Sequence, residues 1–453
     1  MSTPAPLPSL QLDTGYRQII RMSLPISLAI LIPQLNFITN NVFLGHYADG
    51  HHLGVAGLTG VYYLIFAAIG YGLNNGLQAL ISRRAGENRP DEIGRLFNQG
   101  VLIGMGLAIS GMVLTWLLVP TLYRLFISDE QLLAEAVSFL NIRVLGLPFL
   151  YVYQLRNALL VGTNQSKYLV AGTLAETLAN ILFDYLLIYG KLGLPALGFN
   201  GAAVASVIAE FTGMFVIYLV IHRKGIGRRF ALFSSLRFQK DNNRLILQMS
   251  APLMFQHGIS IVSWQFFFLL MSHHGNQALQ ISNAMRNFFG FFGSFTWAFA
   301  ATANAMVANV IGQGREEWVQ PLLGRIIRLS LGFSLLVFAL VNAVPQAILA
   351  IYGQDASFVA AAMPVVRVVT VAMLLMSFST VYLNAVTGTG QSKVTFAIEL
   401  FAIIMYCAYV YLVVEHWHLS VAWGWISEWV YWISLFVPAW WYIRSGRWKG
   451  RVV

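Results

Sequence analysis

Three polar side chains recur at helical spacing within one apolar stretch of the chain. Glu176, Asn180 and Asp184 follow one another at intervals of four residues, which places them on one stripe of an α-helix. An ionised side chain in an apolar helix costs at least ~2.5–3.5 kcal/mol on insertion scales, so such groups mark the paths of ions or substrates. The stripe could therefore bind a small cation through its oxygen atoms or carry a proton.

The next apolar stretch adds Ser206 and Glu210, one helical turn apart. Burial among apolar residues disfavours the ionised form of a carboxylate, so Asp184 and Glu210 could load and release a proton at cellular pH. Two other interpretations stay open: the oxygen atoms hold a small cation, or the polar groups satisfy one another in a static network between helices. We take Asp184 as the main carrier, Glu210 as its partner, and Glu176 as a further candidate near the cytoplasmic end.

The first apolar stretch supplies two amides and a proline. Asn36 and Asn40 are one turn apart, and Asn40 would complete a cation site with Asn180 and Asp184. Pro33 removes a backbone donor and crowds the preceding turn, so we expect the helix to bend just before the two asparagines. We therefore predict that the first half of the chain is the moving, ion-binding half and that Pro33 is its hinge.

The second half carries amides, aromatic rings and one base at its polar positions. Aromatic faces hold flat organic cations, so these residues could line a substrate cavity, or they could pack between helices. The candidates are Gln256, His257, Trp264, Asn283, Arg286 and Trp297. Glu399 and Glu428 are acids well within predicted helices of this half.

The elements that must position these groups are membrane-spanning helices. Apolar residues make up 57% of the chain and charged residues 10%, against roughly 45–50% and about 25% in a soluble domain. A span needs only ~20 apolar residues, and the sequence predicts an all-α membrane protein with twelve such helices. We place them at 19–44, 54–82, 96–122, 136–161, 168–190, 200–222, 245–272, 279–311, 327–352, 361–387, 394–414 and 421–443.

The chain repeats itself after about 226 residues. The segment 86–89 returns as 312–315, and the segment 162–167 returns as 388–393. Six helices return the chain to the same side of the membrane. The sequence therefore predicts two six-helix bundles, 19–222 and 245–443, related by a pseudo-two-fold axis along the membrane normal.

The loops predict the orientation, because Lys and Arg accumulate on the cytoplasmic side of membrane proteins. By this rule the N-terminal segment 1–18, the basic linker 223–244 and the tail 444–453 are cytoplasmic. Arg156 counts with this side, whereas we expect Arg143 and Arg367 to snorkel at the outer ends of their helices. The same topology explains the net charge of +10. The charge is therefore not evidence for a nucleic-acid partner.

The sequence holds no constellation for catalysis or for a resident cofactor. The single cysteine, Cys407, excludes an internal disulfide and a multi-cysteine metal centre. Histidines near the predicted outer loops lack thiol neighbours, and we expect them to be solvated rather than metal ligands. They are His46, His51, His52, His273 and His274. No strand precedes a glycine-rich loop, so a nucleotide site is unsupported, and any pumping must draw on a gradient of H⁺ or Na⁺.

Four motifs carry a resemblance to a known family. They are Ser23-Leu24-Pro25 at the start of predicted helix 1, Gly45 at its end, the run 188–198 followed by Gly201-Ala202-Ala203, and the run 311–315. These motifs, above all the run 188–198, resemble the multidrug and toxic compound extrusion (MATE) transporters. The likeness covers nearly the whole chain.

The resemblance implies two six-helix bundles around a V-shaped cavity and the export of organic, often cationic, compounds against Na⁺ or H⁺. In many relatives an Asp on helix 1 combines with Asn and Asp on helix 5 and a hydroxyl on helix 6. Asn180, Asp184 and Ser206 match three of these positions, but Asn40 stands at the helix 1 position and removes one negative charge. Other relatives carry an acid on helix 7, where this chain has Gln256 instead.

The polar stripe and the resemblance together predict a secondary antiporter without enzyme activity. It would export organic, cationic or amphipathic compounds in exchange for H⁺ or Na⁺ by alternating access. We expect it to act as a monomer in the bacterial cytoplasmic membrane, with small organic substrates and the lipid bilayer as its partners. The alternatives are a flippase for lipid precursors, which a wide cationic cavity would favour, and, more remotely, a membrane-embedded enzyme.

Overall fold

The structure, a computed structural model, describes the backbone of residues 9–47, 51–125, 127, 129–350 and 356–451, and their side chains outside 35–58 and 350. Twelve long helices follow one another in this described part, as the sequence predicts. They are α1 Tyr16–Tyr47, α2 His51–Gly86, α3 Pro90–Arg124, α4 Glu130–Gly162, α5 Ser166–Tyr189, α6 Phe199–Arg223, α7 Lys240–His273, α8 Asn276–Gly312, α9 Glu316–Ala343, α10 Ala356–Gly388, α11 Ser392–His416 and α12 Ser427–Ser445. Among the described residues, nine helices are long and apolar enough to cross a membrane.

Local chemistry sets several helix ends. Pro90 opens α3 at a position where its missing N–H has no intrahelical partner to lose. The Asp129 side chain accepts hydrogen bonds from the backbone N–H groups of Gln131 and Leu132, at 2.8 and 3.2 Å, and so caps α4. Gly190 ends α5 at φ 66°, a left-handed conformation that glycine adopts without a steric penalty.

Several predicted helices begin five or more residues from their observed starts, and predicted helices 9 and 12 also enclose a break. Predicted helix 9 ran from 327 to 352, but α9 begins at Glu316 and ends at Ala343, and a separate short helix Pro345–Ala350 follows. Pro345 lacks the N–H that would extend the ladder of α9. Predicted helix 12 began at 421, where the structure has a short helix Val421–Trp425 before α12. Hydropathy identifies the apolar part of a segment, but it does not predict where a helix is interrupted within or beside that part.

A proline also shapes the middle of α4. Pro148 cannot donate a backbone hydrogen bond to the carbonyl four residues back, and α4 narrows to a 3₁₀ turn over Val144–Gly146. Arg143 is the last residue before this turn. The break therefore lies where the charged side chain enters the bundle.

The predicted duplication is confirmed by the helix contacts. In the first bundle, α1–α6, helix α1 packs on α5, α2 on α4, and α5 on α6. The second bundle, α7–α12, repeats these contacts as α7 on α11, α8 on α10, and α11 on α12. Between bundles, α2 contacts α7 and α8, and α1 contacts α8. These pairs exchange with one another under a two-fold rotation, as the repeat requires.

Two glycines show this symmetry at atomic detail. A Cβ added to Gly86 would lie 2.0 Å from the Asn309 carbonyl oxygen, and one added to Gly312 would lie 2.2 Å from the Arg83 carbonyl oxygen. The two contacts are repeat partners of each other. They lie at the end of the molecule that carries Arg83, Arg84 and the 223–244 linker, which we call the basic face. The bundles meet here at a distance that only glycine permits.

The segment 9–14 bridges the two bundles at the basic face. Asn309 of α8 donates to the Leu10 carbonyl at 2.9 Å and accepts from the Leu12 N–H at 3.0 Å. On the first bundle, Gln11 donates to the Gly86 carbonyl at 3.0 Å. Leu10 and Leu12 are both buried. The segment predicted as a cytoplasmic N-terminal extension thus seals the junction between the bundles.

We expect Gly86→Ala to loosen this closure. The added methyl group must displace the Asn309 backbone, and overpacking of this kind costs about 1–3 kcal/mol. The readout is maleimide labelling of Ser82→Cys, a buried neighbour of the junction, in a background lacking Cys407. Labelling should become roughly tenfold faster, since every ~1.4 kcal/mol changes an equilibrium tenfold.

The control for this variant is Gly332→Ala on α9, where an added Cβ has no atom within 4 Å. Equal labelling rates for the Gly86 and Gly332 variants would show that the glycine contact does not hold the basic face closed.

Candidate functional site

A buried ion pair joins α4 to α6 inside the first bundle. Arg143 donates to both carboxylate oxygens of Glu210, Nη2 to Oε1 at 2.7 Å and Nη1 to Oε2 at 2.9 Å. Tyr63 of α2 adds its hydroxyl hydrogen bond to the same carboxylate at 3.0 Å, and its ring lies 3.6 Å below the guanidinium. Paired, bidentate geometry of this kind is what a carboxylate needs in a low-dielectric interior.

The 3₁₀ turn of α4 makes room for this pair. A Cβ at Gly146 would lie 2.1 Å from Glu210 Oε2 and 2.8 Å from Arg143 Nη1. Any larger residue would therefore displace the carboxylate or the guanidinium. The glycine, the preceding arginine and the proline-induced turn act together to place the charge pair.

A second buried guanidinium lies further along α4. Arg156 is 4% exposed and lies 3.4 Å over the ring of Tyr153. Its Nη2 donates to Thr173 Oγ1 of α5 at 2.9 Å, and its charge interacts with Glu176 one turn later. Arg156 was counted with the basic loops, but it lies inside the bundle; the side of the membrane assigned to it stays a prediction.

The stripe predicted on α5 faces the interior at the end of the helix remote from the basic face. Asp184 is 1% exposed, and Asn180 is buried beside it. Arg143 interacts electrostatically with Asp184 as well as with Glu210, so the three residues share one electrostatic environment. Ser206 of α6 is half-buried. The structure thus brings the predicted acids of α5 and α6 around one arginine.

Three predicted residues lie on α1. The backbone of α1 is helical throughout Tyr16–Tyr47, and Pro33 lies inside it with an exposed side chain. The side chains of Asn36 and Asn40 lie outside the described residues. The hinge at Pro33 and the contribution of the two amides stay predictions.

The charges inside the first bundle do not balance. Its described interior holds three carboxylates, of Glu176, Asp184 and Glu210, and two guanidinium groups, of Arg143 and Arg156. Arg143 is the bidentate partner of Glu210, and Arg156 interacts electrostatically with Glu176. Counted as fully ionised, these five groups carry one more negative charge than positive.

The second bundle contains its own buried carboxylate. Glu399 of α11 is 2% exposed and accepts hydrogen bonds from Gln256 Nε2 at 3.3 Å and from Ser260 Oγ at 2.7 Å, both on α7. The hydroxyl of Tyr431 on α12 also donates to it. The predicted cavity residue Gln256 is therefore directed into the second bundle.

The other predicted cavity residues are distributed over several places. His257 contacts Asn75 of α2 through Nε2 at 3.0 Å, so it belongs to the junction between the bundles. Trp264 and Arg286 both lie against Phe268, at 5.7 and 5.1 Å from its ring centre. Asn283 and Trp297 are half-buried along α8. The set thus does not form a single cluster.

The histidines at the outer end of α7 bond to the end of α11. His273 Nδ1 lies 2.9 Å from Glu415 Oε2, and His274 Nε2 lies 2.9 Å from the Val414 carbonyl oxygen. No group of three metal-ligating side chains occurs among the described residues. The side chains of His46, His51 and His52 lie outside that part of the chain.

Sequence reasoning missed Arg143 as a member of the site. It was assigned to snorkelling at the end of a helix, but its side chain is buried against Glu210, whereas Arg367 is exposed. The available signal was a base and an acid in two apolar helices of the same repeat half, since unpaired charges are not tolerated there. Arg156 carried the same signal, because it lies within the predicted helix 136–161.

Comparisons with known proteins agree with the duplicated fold. Residues 25–186 and 252–412 each match the MatE family. The probable multidrug resistance protein NorM of Thermotoga maritima is 21% identical over 457 residues, 99% of this chain and 96% of that protein. The NorM protein of Synechocystis sp. is 27% identical over 236 residues, but the match covers only 50% of its length.

Solved structures share the whole fold. An outward-facing multidrug resistance MATE family transporter of the MOP superfamily superimposes with a TM-score of 0.89 over 100% of both chains, at 16% identity. The two family matches span the two bundles in turn, and the apolar helices place the protein in a membrane. The chain therefore belongs to the MatE family of membrane-embedded multidrug efflux transporters.

Proposed function

We propose that this chain is a secondary antiporter that exports organic, cationic or amphipathic compounds in exchange for H⁺ or Na⁺. The observation that carries the proposal is the pair of buried acids, Asp184 and Glu210, that share the electrostatic environment of Arg143 in the first bundle. Glu210 is held by Arg143 in a bidentate pair, and Asp184 is the carboxylate that would exchange the coupling cation. Membership of a transporter family points away from an enzyme.

Transport also requires a conformational change, and the closed junction at the basic face is the part of the molecule that would open. The Gly86 and Gly312 contacts and the segment 9–14 hold the bundles together on that side. Alternating access requires this closure to open in a second state. Coupling then requires that the cation near Asp184 and the cargo stabilise different states. Pro33 would let α1 change its bend between them.

The setting of the protein follows from the same reasoning. The basic face would lie in the cytoplasm, because Arg83, Arg84, Arg89 and the linker are there. The membrane would be the bacterial cytoplasmic membrane, since the NorM relatives named above come from bacteria. One chain contains both repeat-related bundles, so a monomer would be sufficient for transport.

The experiment is ethidium efflux from proteoliposomes under a pH gradient and under a Na⁺ gradient, imposed separately. We expect one of the two gradients to accelerate efflux by about 5- to 150-fold, the range that corresponds to coupling energies of about 1–3 kcal/mol. Collapse of the gradient with an ionophore should remove the acceleration. Efflux that is indifferent to both gradients would refute the antiporter.

A further inference from the structure

The linker 223–244 exposes bases that have no acidic partner. It carries seven bases and one acid, Asp241, which lies in the first turn of α7. Arg228 and Arg237 are exposed, and neither forms an ion pair within the described residues. The two guanidinium groups are therefore available to an anion from outside the chain.

Three large apolar side chains of the same linker are also exposed. The exposed fractions of Phe233, Leu236 and Phe238 are 44%, 48% and 73%. All three follow the end of α6 at Arg223 and precede the start of α7 at Lys240, so they lie outside the spanning helices. Apolar side chains in a basic loop gain free energy by leaving water. Bases and apolar groups on one surface suit the boundary between lipid headgroups and acyl chains.

Hydrogen bonds from α3 fix the backbone of this loop. The buried Asn98 side chain accepts from the Phe233 N–H at 2.8 Å and donates to the Ser235 carbonyl at 3.3 Å. The next residue of α3, Gln99, donates to the Arg237 carbonyl at 2.8 Å. The buried amides of α3 therefore hold the part of the linker that exposes its apolar side chains.

Close packing and backbone strain add to this fixation. Phe230 is 1% exposed, and a Cβ added to Gly94 of α3 would lie 1.7 Å from the Phe230 carbonyl oxygen. Ala231 and Phe233 then adopt φ values of 49° and 60°. A left-handed conformation is rare for a phenylalanine and persists only where the surroundings impose it. The Phe233 ring packs edge-on against Phe97 at 5.7 Å. The loop is thus held in one arrangement.

We define the linker surface as the exposed basic and apolar side chains of this loop, which are Arg228, Phe233, Leu236, Arg237 and Phe238. We propose that the linker surface binds anionic phospholipids in the leaflet at the basic face. The headgroup phosphates neutralise the bases, and the apolar side chains enter the boundary with the acyl chains. Because the surface is preformed, binding orders no further backbone. A free phosphate ion would use only the bases, whereas a phospholipid uses both kinds of side chain.

The test measures which lipids surround the linker surface in the full-length protein. Ser235→Cys, in a background lacking Cys407, places a fluorescent label on an exposed residue that is not a member of the surface. The protein is reconstituted in nanodiscs that contain an equal small fraction of spin-labelled phosphatidylglycerol or of spin-labelled phosphatidylcholine. Quenching should give phosphatidylglycerol an association constant at least ~5-fold higher, the contribution of one base near an anionic surface. Equal quenching by the two lipids would overturn the proposal.

Charge removal identifies the bases responsible. Arg228→Gln/Arg237→Gln should lower the ratio of the two association constants at least ~5-fold. Arg124→Gln/Lys191→Gln is the matched control, because it removes two exposed bases from the end of the molecule remote from the basic face, and it should keep the wild-type ratio. A ratio that the linker variant leaves unchanged, or that the control lowers equally, would overturn the proposal.

Salt provides a measurement that needs no charge variant. Raising the ionic strength from about 0.1 M to about 1 M shortens the screening length from ~10 Å to ~3 Å. Quenching by spin-labelled phosphatidylglycerol should therefore fall toward that by spin-labelled phosphatidylcholine. A ratio that salt does not change would overturn the proposal even if the linker variant failed to fold.

Competitors distinguish a lipid from other anions. Inorganic phosphate and a short single-stranded RNA are added separately at matched ionic strength. Neither should displace the spin-labelled phosphatidylglycerol, because a soluble anion leaves the apolar side chains in water. Displacement by phosphate would assign the surface to free phosphate, and displacement by RNA would assign it to a nucleic acid; either result would overturn the proposal. None of these measurements reads efflux, so the inference does not depend on the proposed antiport.

Discussion

Asp184→Asn is expected to abolish the gradient-driven component of efflux while leaving the protein folded. The amide keeps the size and shape of the carboxylate, but it cannot bind a proton and offers a cation no charge. Asp184 is the buried carboxylate proposed above as the carrier, so its replacement by an amide removes the charge that the coupling cation would neutralise. The acceleration of about 5- to 150-fold expected for the wild type should therefore fall to the rate without a gradient.

The measurement is ethidium efflux from proteoliposomes at matched protein density, together with cargo binding in detergent. Asp91→Asn is the matched control, because it removes the same charge from an exposed position at the start of α3. The control should keep wild-type coupling. Unimpaired, gradient-dependent efflux in Asp184→Asn would show that the carrier is elsewhere.

Arg143→Met should destabilise the protein by about 3–5 kcal/mol, because it leaves the Glu210 carboxylate buried without its bidentate partner. The main effect of Arg143→Met should therefore be on the stability of the fold rather than on transport. Glu210→Gln should cause a smaller loss, since it leaves the guanidinium over the Tyr63 ring. The readout is unfolding of the detergent-solubilised protein, monitored by size-exclusion chromatography after heating.

The double variant Arg143→Met/Glu210→Gln decides the role of the pair. If the pair is a structural counter-charge, the double variant should recover most of the stability lost by Arg143→Met and keep gradient-driven efflux. Arg89→Met provides the control, because Arg89 is half exposed and its surface pairs with Glu87 and Glu92 should each contribute no more than about 1 kcal/mol. Loss of coupling in a stable double variant would instead make Glu210 part of the ion path.

The two bundles divide their buried charges differently. In the first bundle, Arg143 forms an ion pair with Glu210, and Arg156 interacts electrostatically with Glu176. In the second, Glu399 is surrounded by hydroxyl and amide donors. The two repeats therefore surround their buried carboxylates with different groups: guanidinium groups in the first bundle and neutral hydrogen-bond donors in the second.

Much of the fold could be predicted from the sequence because it depends on local composition. Apolar runs specify helices in a membrane, and the return of 86–89 as 312–315 specifies a duplicated bundle. The helix order and the pseudo-two-fold axis were predicted correctly for this reason. The 3₁₀ turn over Val144–Gly146 was not predicted, but it changes no connection between helices.

The candidate site was predictable in part. Spacing alone placed Asn180 and Asp184 on one face, and both are buried. Spacing could not show that Glu210 meets Arg143, because these residues lie on different helices, 67 positions apart. It likewise could not show that Gln256 meets Glu399, 143 positions apart.

The sequence by itself determined that the chain forms twelve apolar helices in two repeats and that acids lie inside them, because periodicity and hydropathy are properties of neighbouring residues. Only the tertiary structure decided which of these acids forms a bidentate pair with an arginine. That outcome depends on distances of about 3 Å between helices remote in sequence, where Coulomb energy and desolvation nearly cancel and small geometric differences decide the sign.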